Sequence, residues 1–307
     1  MSRGLVPEDH SLSLLAARST ALREADLVLI VGTRMNWIYT FGKRVGPQAK
    51  VIQIDIHAEE IGHNRDVDLG VVGDARVVLQ QMNELAETDS RFGASEDSEW
   101  VEYLRDQHAV REERSQAVLN SDQVPIHPLR LCKEIRDFAD RDAIITIDGN
   151  EILHFGRQSI PVYYPGHRLN SGPSGCMGVG LPYAIGAKVA KPGKQVISLH
   201  GDGSLGLNAM DFDTAVRHNI PIVVVVSNNE GWTARVEGLR KPGRELGYTR
   251  FDRIAEALGG HGENVEEPGE IRPALERAFA SGKPAIVNVH TDPTARGISR
   301  FVGSRME

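Results

Sequence analysis

The strongest constraint in this sequence is a series of short, almost wholly apolar runs, each ending in a polar turn and followed by a stretch of helical composition. Ile220–Ser227 is the extreme case, with four consecutive valines. A strand with one wet face alternates apolar and polar side chains. An uninterrupted β-branched run needs cover on both faces, the situation of a strand in a parallel sheet between helix layers. The run is far shorter than the ~20 residues that cross a bilayer. It therefore reads as the central strand of an α/β sheet, whose ligands bind at the carboxyl ends of the strands.

The remaining pattern fits that frame. A helix-like run over Leu12–Ala25 precedes strands at Leu27–Val31, Val51–Ile54 and Gly70–Val72, then helices at Ala75–Leu85 and Trp100–Val118, separated by a polar loop over 88–99. The proline-bearing stretch Asn120–Pro128 reads as a domain boundary. Beyond it come helix Leu129–Phe138, strand Ala143–Ile147, helix Met177–Ala190, strand Gln195–Leu199, helix Ala209–His218 and the valine run. A helix at Phe251–Leu258, a short strand, a helix at Glu270–Ala280 and a strand at Ala285–Val289 complete the chain. The expectation is an α/β protein of two doubly wound parallel-sheet domains, residues 1–119 and 120–307.

Composition excludes several classes of function. With 307 residues, 40% apolar and 25% charged, the chain is that of a soluble globular protein with room for two cores. A net charge of -7 and dispersed Lys and Arg argue against nucleic acid or an anionic membrane as partner. Residues 1–15 have no signal-peptide core, and two cysteines, Cys132 and Cys176, make neither a disulfide framework nor a metal motif. A cytoplasmic enzyme is the expectation.

Three segments carry chemistry. Gly201-Asp202-Gly203-Ser204 follows a strand and precedes a helix. Glycines there let the backbone approach a ligand, and a helix N-terminus favours a phosphate. A carboxylate beside a phosphate would repel it, so Asp202 implies an intervening cation, Mg²⁺. At the end of the next strand stands Asn228-Asn229-Glu230-Gly231-Trp232. Strand–helix–strand return brings Asn229 beside Asp202, and hard oxygen ligands of this kind suit Mg²⁺. Taken alone, each segment also reads as a plain turn. Gly172–Pro182 is a third, glycine-rich segment around Met177.

The Gly-Asp-Gly triplet, 24 intervening residues and an Asn-Asn pair together resemble the fingerprint of thiamine-diphosphate enzymes of the pyruvate decarboxylase and acetolactate synthase superfamily. The resemblance implies thiamine diphosphate and Mg²⁺ as cofactors. Asp202, Asn229 and the Gly231 carbonyl would hold the metal, with Gly201, Gly203, Ser204 and Trp232 around the diphosphate. It further implies that Met177 props the cofactor into a V shape, the Gly175 carbonyl and Met177 N–H binding the pyrimidine edge beside Cys176. Asn150 and Glu151, at another strand-to-helix turn, are candidates for the diphosphate, with helix capping by Asn150 as the alternative. Cys176 reads as packing rather than nucleophile, and His154 and His200 as structural.

Ala25–Trp37, with its Thr33-Arg34-Met35-Asn36-Trp37, then Phe41-Gly42-Lys43 and Gln53-Ile54-Asp55, resembles the central domain of 2-hydroxyacyl-CoA lyases and oxalyl-CoA decarboxylases. Phe212–His218 and Asn229–Thr233 look equally like proteins of acetolactate synthase type. The substrate implied is a 2-hydroxyacyl-CoA or a 2-keto acid, and the assembly a homo-oligomer. Central domains of this kind hold ADP, FAD or nothing. Arg34, Asp55 and Asp74 lie where a nucleotide would, with surface ion pairing the preferred reading for each. The resemblance starts inside the central domain, at Arg3–His10, so 1–119 reads as a partial central domain and 120–307 as the diphosphate- and metal-binding domain. The activating glutamate of the family belongs to an amino-terminal pyrimidine-binding domain. The expectation is a chain inactive until that domain is present in cis or in trans, with a non-catalytic or split subunit as the rival.

Overall fold

The computed structural model describes residues 3–89, 98–239 and 241–296, so most of the polar loop read over 88–99 falls outside the described residues. There are two compact units, Leu14–Arg114 and a second formed by the residues up to Ser13 together with those from Ser115 onward. The sequence places the first thirteen residues with the first domain. Their polar groups are instead satisfied in the second unit, where Glu8 exchanges hydrogen bonds with Val162: its N–H donates to Val162 O at 3.1 Å, and its carboxylate accepts from Val162 N at 3.0 Å.

In the unit Leu14–Arg114, strands β1 (Leu27–Val31), β2 (Lys50–Asp55) and β3 (Leu69–Val72) pair in parallel in that order. The helix expected over 12–25 is shorter: a 3₁₀ turn at Leu15–Ala17 leads into α1, Arg18–Glu24. Helix α2 (Ala75–Thr88) is started by Asp74, whose Oδ1 accepts from Arg76 N at 3.0 Å and Val77 N at 3.2 Å. The small core is Ile30, Met35, Val45, Ala49 and Val51. Helix α3 runs Glu99–Leu119.

The second unit begins with α4 (Pro128–Phe138) and is built on a six-stranded, wholly parallel sheet. Its strands are β4 (Ile144–Asp148), β5 (Arg168–Leu169), β6 (Val196–Gly201), β7 (Val223–Asn228), β8 (His261–Val265) and β9 (Ala285–His290). Their spatial order is β5-β4-β6-β7-β9-β8. After β4 the chain passes through α5 (Glu151–Ser159) to one side, and then returns to the other side for β6. The direction of winding therefore reverses between β4 and β6, the point where an open parallel sheet leaves a crevice at its carboxyl edge.

Period-two alternation divides the core between the two sheet faces. Ile145, Ile147, Leu199, Val225 and Val287 pack with α4, α5 and α10 (Ile271–Ala280). Val196, Val224, Val226 and Ile286 pack with α6 (Gly180–Ala190), α8 (Asp211–Arg217) and α9 (Phe251–Ala257). Two expected helices are altered by glycines and turns. The segment from Met177 is not helical until Gly180, and the helix expected at Ala209–His218 is α8, shorter at both ends and preceded by a separate helix α7 (Asp202–Asn208). No described helix is long and apolar enough to cross a membrane.

Phe212 is fully buried in the α8 side of this core, close enough to Gly260 that a Cβ there would lie 2.7 Å from its ring. Phe212→Ala is expected to cost about 3–5 kcal/mol through lost burial and a cavity that the sheet cannot collapse. Leu85→Ala, at a position 67% exposed, should stay within about 0.5 kcal/mol. Guanidinium denaturation midpoints of the two variants check the contrast.

Candidate active site

The site is assembled by the register of β4, β6 and β7. Asp148 pairs with His200, and Gly201 with Ser227, so the turns that end the three strands come out side by side. The first two turns touch: a Cβ on Gly149, whose φ is +129°, would stand 3.3 Å from Gly201 N. Of the twelve residues read as cofactor contacts, ten line one cleft at this edge: Asn150, Glu151, Met177, Gly201, Asp202, Gly203, Ser204, Asn229, Gly231 and Trp232. Gly175 and Cys176 are not among its lining residues.

Asp202 stands at the first position of α7 and is 3% exposed. Its Oδ1 accepts from Gly203 N at 2.9 Å, and its Oδ2 from Gly231 N at 2.8 Å. Burial nevertheless pushes its carboxyl up to about 6, against the lowering by those N–H groups and by the Arg244 guanidinium. A carboxylate so dehydrated is suited to a cation. The Asn229 side-chain amide spans the same point, 3.1 Å from Asp202 Oδ1 and 2.8 Å from Gly231 O: turned one way its NH₂ would donate to both, turned the other its Oδ1 faces them. Carboxylate, carbonyl and amide oxygens then face one position, a donor set that fits Mg²⁺ and no soft metal. Among the described residues no cluster of three His, Cys, Asp or Glu offers another metal site.

The asparagine pair divides its tasks. Asn228 is fully buried, its Nδ2 donating to Thr249 O at 2.9 Å and its Oδ1 accepting from Glu230 N at 3.3 Å, which leaves Asn229 to face Asp202. The glycines differ in the same way. A Cβ on Gly203 would meet the Trp232 indole at 2.7 Å, whereas a Cβ on Gly201, a lining residue of the cleft, meets nothing nearer than Ile152 Cγ2 at 3.8 Å. Gly201 thus has room beside it that the chain's own atoms leave open. The Ser204 hydroxyl is turned away from the cleft, donating to Asp148 O at 2.9 Å or Gly201 O at 3.0 Å, so any contact of Ser204 with a ligand falls to its main chain. Asn150 sits at the N-cap of α5 without a side-chain capping bond.

Sequence reasoning passed over Asp148, which organises the Met177 segment. Its Oδ2 accepts from Gly178 N at 2.9 Å and Gly180 N at 2.8 Å, fixing the entry to α6. Gly180 has no room for a side chain, since a Cβ would lie 2.6 Å from Asp148 Cβ and 2.7 Å from His200 Cε1. Below them Thr146 Oγ1 donates to Gly180 O at 3.0 Å, and Ser198 Oγ lies 2.7 Å from His200 Nε2. Burial drives His200 down to about 3, so it is neutral and structural, as its position before the turn suggests. Met177 is 40% exposed. Cys176, expected to be packed, is exposed, in a segment whose Gly175 and Gly178 hold left-handed turns.

In the other unit the residues weighed for a nucleotide have local partners. Arg34 pairs with Glu60 at 2.9 Å. Asp55 and Asp74, expected in surface ion pairs, instead accept main-chain N–H groups, Asp55 from His57 N at 3.0 Å and Asp74 at the start of α2. In the Thr33–Trp37 motif Met35 is buried, and Asn36 Oδ1 accepts from Ile38 N at 3.0 Å, so the motif shapes a turn.

Gly203→Ala is expected to push the Trp232 indole from its seat and cost about 1–3 kcal/mol. A changed tryptophan emission spectrum together with a lowered melting temperature would show it.

Family models match two stretches of the chain: residues 1–82 match the central domain of thiamine pyrophosphate enzymes, and residues 153–289 their C-terminal TPP-binding domain. The chain is similar to the acetolactate synthase large subunit IlvG of Mycobacterium tuberculosis, with 41% identity over 305 residues. It is 35% identical over 312 residues to the 2-hydroxyacyl-CoA lyase of Arabidopsis thaliana, and 34% over 304 residues to the oxalyl-CoA decarboxylase of Escherichia coli. Each comparison covers 96% of this chain and 53% or 54% of the relative, so the chain spans about half the length of the curated relatives it matches.

Proposed function

We propose, from the premise that this chain belongs to the thiamine pyrophosphate enzymes through its central and C-terminal domains, that it binds thiamine diphosphate through Mg²⁺ and serves an enzyme that makes or breaks a carbon–carbon bond beside a carbonyl. The observation that carries the reading is the convergence of Asp202 Oδ1, Gly231 O and the Asn229 amide beside an open glycine cradle at the winding reversal of a parallel sheet.

In this reading Asp202, Asn229 and Gly231 hold Mg²⁺, while Asn150, Glu151, Gly201, Gly203 and the Ser204 main chain border the diphosphate at the starts of α5 and α7. Gly175, Cys176 and Met177 face the pyrimidine, with the flexible Met177 thioether as the prop under the rings. When bound, the cofactor supplies an electron sink for the bond that breaks or forms. The chain's own residues would hold the cation that offsets the diphosphate charge, fix the diphosphate's position and exclude water from it. The half-exposed Met177 suits a surface covered in the working assembly. We assign that cover to a pyrimidine-binding domain, in cis or in trans, bringing the carboxylic acid that activates the cofactor.

Two substrate readings have support. The Thr33–Trp37 resemblance favours 2-hydroxyacyl-CoA or oxalyl-CoA chemistry, although its residues build a turn in the structure. Acetolactate-type condensation of 2-keto acids is supported by 41% identity to the mycobacterial synthase, against 35% and 34% for the lyase and the decarboxylase. Product analysis with both substrate classes in the complete assembly separates them: formyl-CoA supports the first, and acetolactate the second.

Asp202→Ala should weaken Mg²⁺-dependent thiamine-diphosphate binding at least ~100-fold, because even outer-shell losses cost 10–100-fold. Asp74→Ala should leave binding unchanged while costing about 1 kcal/mol at the α2 cap. Calorimetric titration measures both, and equal affinity in Asp202→Ala would reject the site.

A further inference from the structure

We propose that Arg244 is the positioning residue of the loop that presents Asn229 and Gly231, an inference that rests on the metal-site reading above. Arg244 lies outside β7 and the Asn-Asn motif, on the segment that returns alongside them. Its main chain pairs with the loop, Trp232 N donating to Arg244 O at 3.0 Å and Leu246 N to Glu230 O at 3.0 Å. Its side chain is 4% exposed, and the guanidinium collects carbonyls from the loop. Nε donates to Thr233 O at 2.7 Å, Nη1 to Glu230 O at 3.3 Å, and Nη2 to Asn229 O at 3.4 Å and Pro293 O at 3.4 Å. Nη1 also meets Glu245 Oε2 at 3.0 Å.

The carbonyls on either side of Gly231, at 229, 230 and 233, are thus drawn to one cation on the inner side of the loop. The Gly231 carbonyl is not among them and instead lies 2.8 Å from the Asn229 side-chain amide, while the Gly231 N–H donates to Asp202 Oδ2. The loop passes through Glu230, a non-glycine residue held at φ +59°. Left-handed backbone at such a residue persists only when its surroundings impose it. Gly231 is glycine for the same reason: a Cβ there would lie 2.5 Å from Arg244 Nη1 and 2.6 Å from its Cζ. The contact to Pro293, reinforced by Arg235 N donating to Pro293 O at 2.5 Å, ties the loop to the segment after β9. A lysine has one ammonium on a flexible stem and cannot hold several carbonyls in a planar fork.

The test compares Arg244→Lys and Gly231→Ala with Arg235→Met, which removes an exposed guanidinium that shares the Glu245 carboxylate with Arg244 and also pairs with the Glu230 carboxylate. Three measurements are made on the full chain: amide hydrogen exchange at Gly231 and Trp232 without cofactor, melting temperature, and calorimetric titration of thiamine diphosphate over a range of Mg²⁺. The first two variants should exchange at least ~10-fold faster at both amides, bind at least ~10-fold more weakly and require more Mg²⁺, the size expected for a residue that orients metal ligands. Their melting temperature should fall as well, as for Gly203→Ala, and Arg235→Met should match the parent. Parental exchange and affinity in Arg244→Lys would overturn the proposal. So would a large fall in melting temperature with intact affinity, which would make Arg244 a stability residue. If the parent binds no thiamine diphosphate even with a pyrimidine-binding domain supplied, the functional reading fails, and exchange at Gly231 and Trp232 alone then decides the clamp.

Discussion

The buried carboxylate of Asp202 is the constraint on which the cleft depends. An ionised group 3% exposed is strongly disfavoured unless hydrogen bonds or a counter-charge replace the lost water. Two N–H groups answer part of that need, one from its own helix start and one from the far side of β7. The second fixes Gly231 against α7, and through Gly231 it fixes the Asn229–Thr233 loop. Arg244 adds positive charge from behind that loop while holding its carbonyls. What remains is a carboxylate still shifted toward the neutral form, with oxygen partners gathered on its open side. The same desolvation that costs stability in the bare chain strengthens any bond to a cation.

A second polar network, deeper in the sheet, serves the other half of the cleft. Asp148 and His200 are register partners on β4 and β6, as are Thr146 and Ser198. Their side chains point to the α6 face, where apolar residues would otherwise be expected, and they bind Gly178, Gly180 and one another. Glycine at 180 brings the α6 backbone close enough to be held in this way. The Met177 segment is therefore fixed from beneath by the sheet rather than by its own helix, which is why α6 starts three residues later than its composition suggests.

Much of this was legible in the sequence, for identifiable reasons. Apolar runs bounded by turns locate strands well, and Leu27–Val31 is matched residue for residue because Asp26 and Gly32 bracket it. Ten cleft residues were readable through the resemblance, and Asp202 and Asn229 also because turns at a parallel sheet's carboxyl edge are brought together by connectivity. What escaped depends on contacts distant in sequence. Arg244 stands in a run of charged and turn-forming residues with no periodicity, and its role appears only when the 244–246 segment folds back on Glu230–Trp232. Asp148 was visible as the end of a strand, but its two acceptor bonds come from residues thirty positions away. The packing expected of Cys176 rested on composition, which does not show the left-handed turns at Gly175 and Gly178 in its segment.

The glycines of the site show how one residue type can carry different information. Gly203 is small because an indole covers it, Gly231 because a guanidinium does, and Gly180 because a sheet strand approaches it. Each is filled by the protein's own atoms, so none of these three implies a ligand by itself. Gly201 differs: its backbone is unstrained at φ -80°, and the nearest atom to a Cβ is 3.8 Å away. Neither conformation nor packing within the chain requires glycine there. A side chain there would enter space bordered by Ile152 and Ser204, both lining residues of the cleft. Within this Gly-Asp-Gly turn, the first glycine therefore borders open space in the cleft, and the second records how tightly the fold closes behind it.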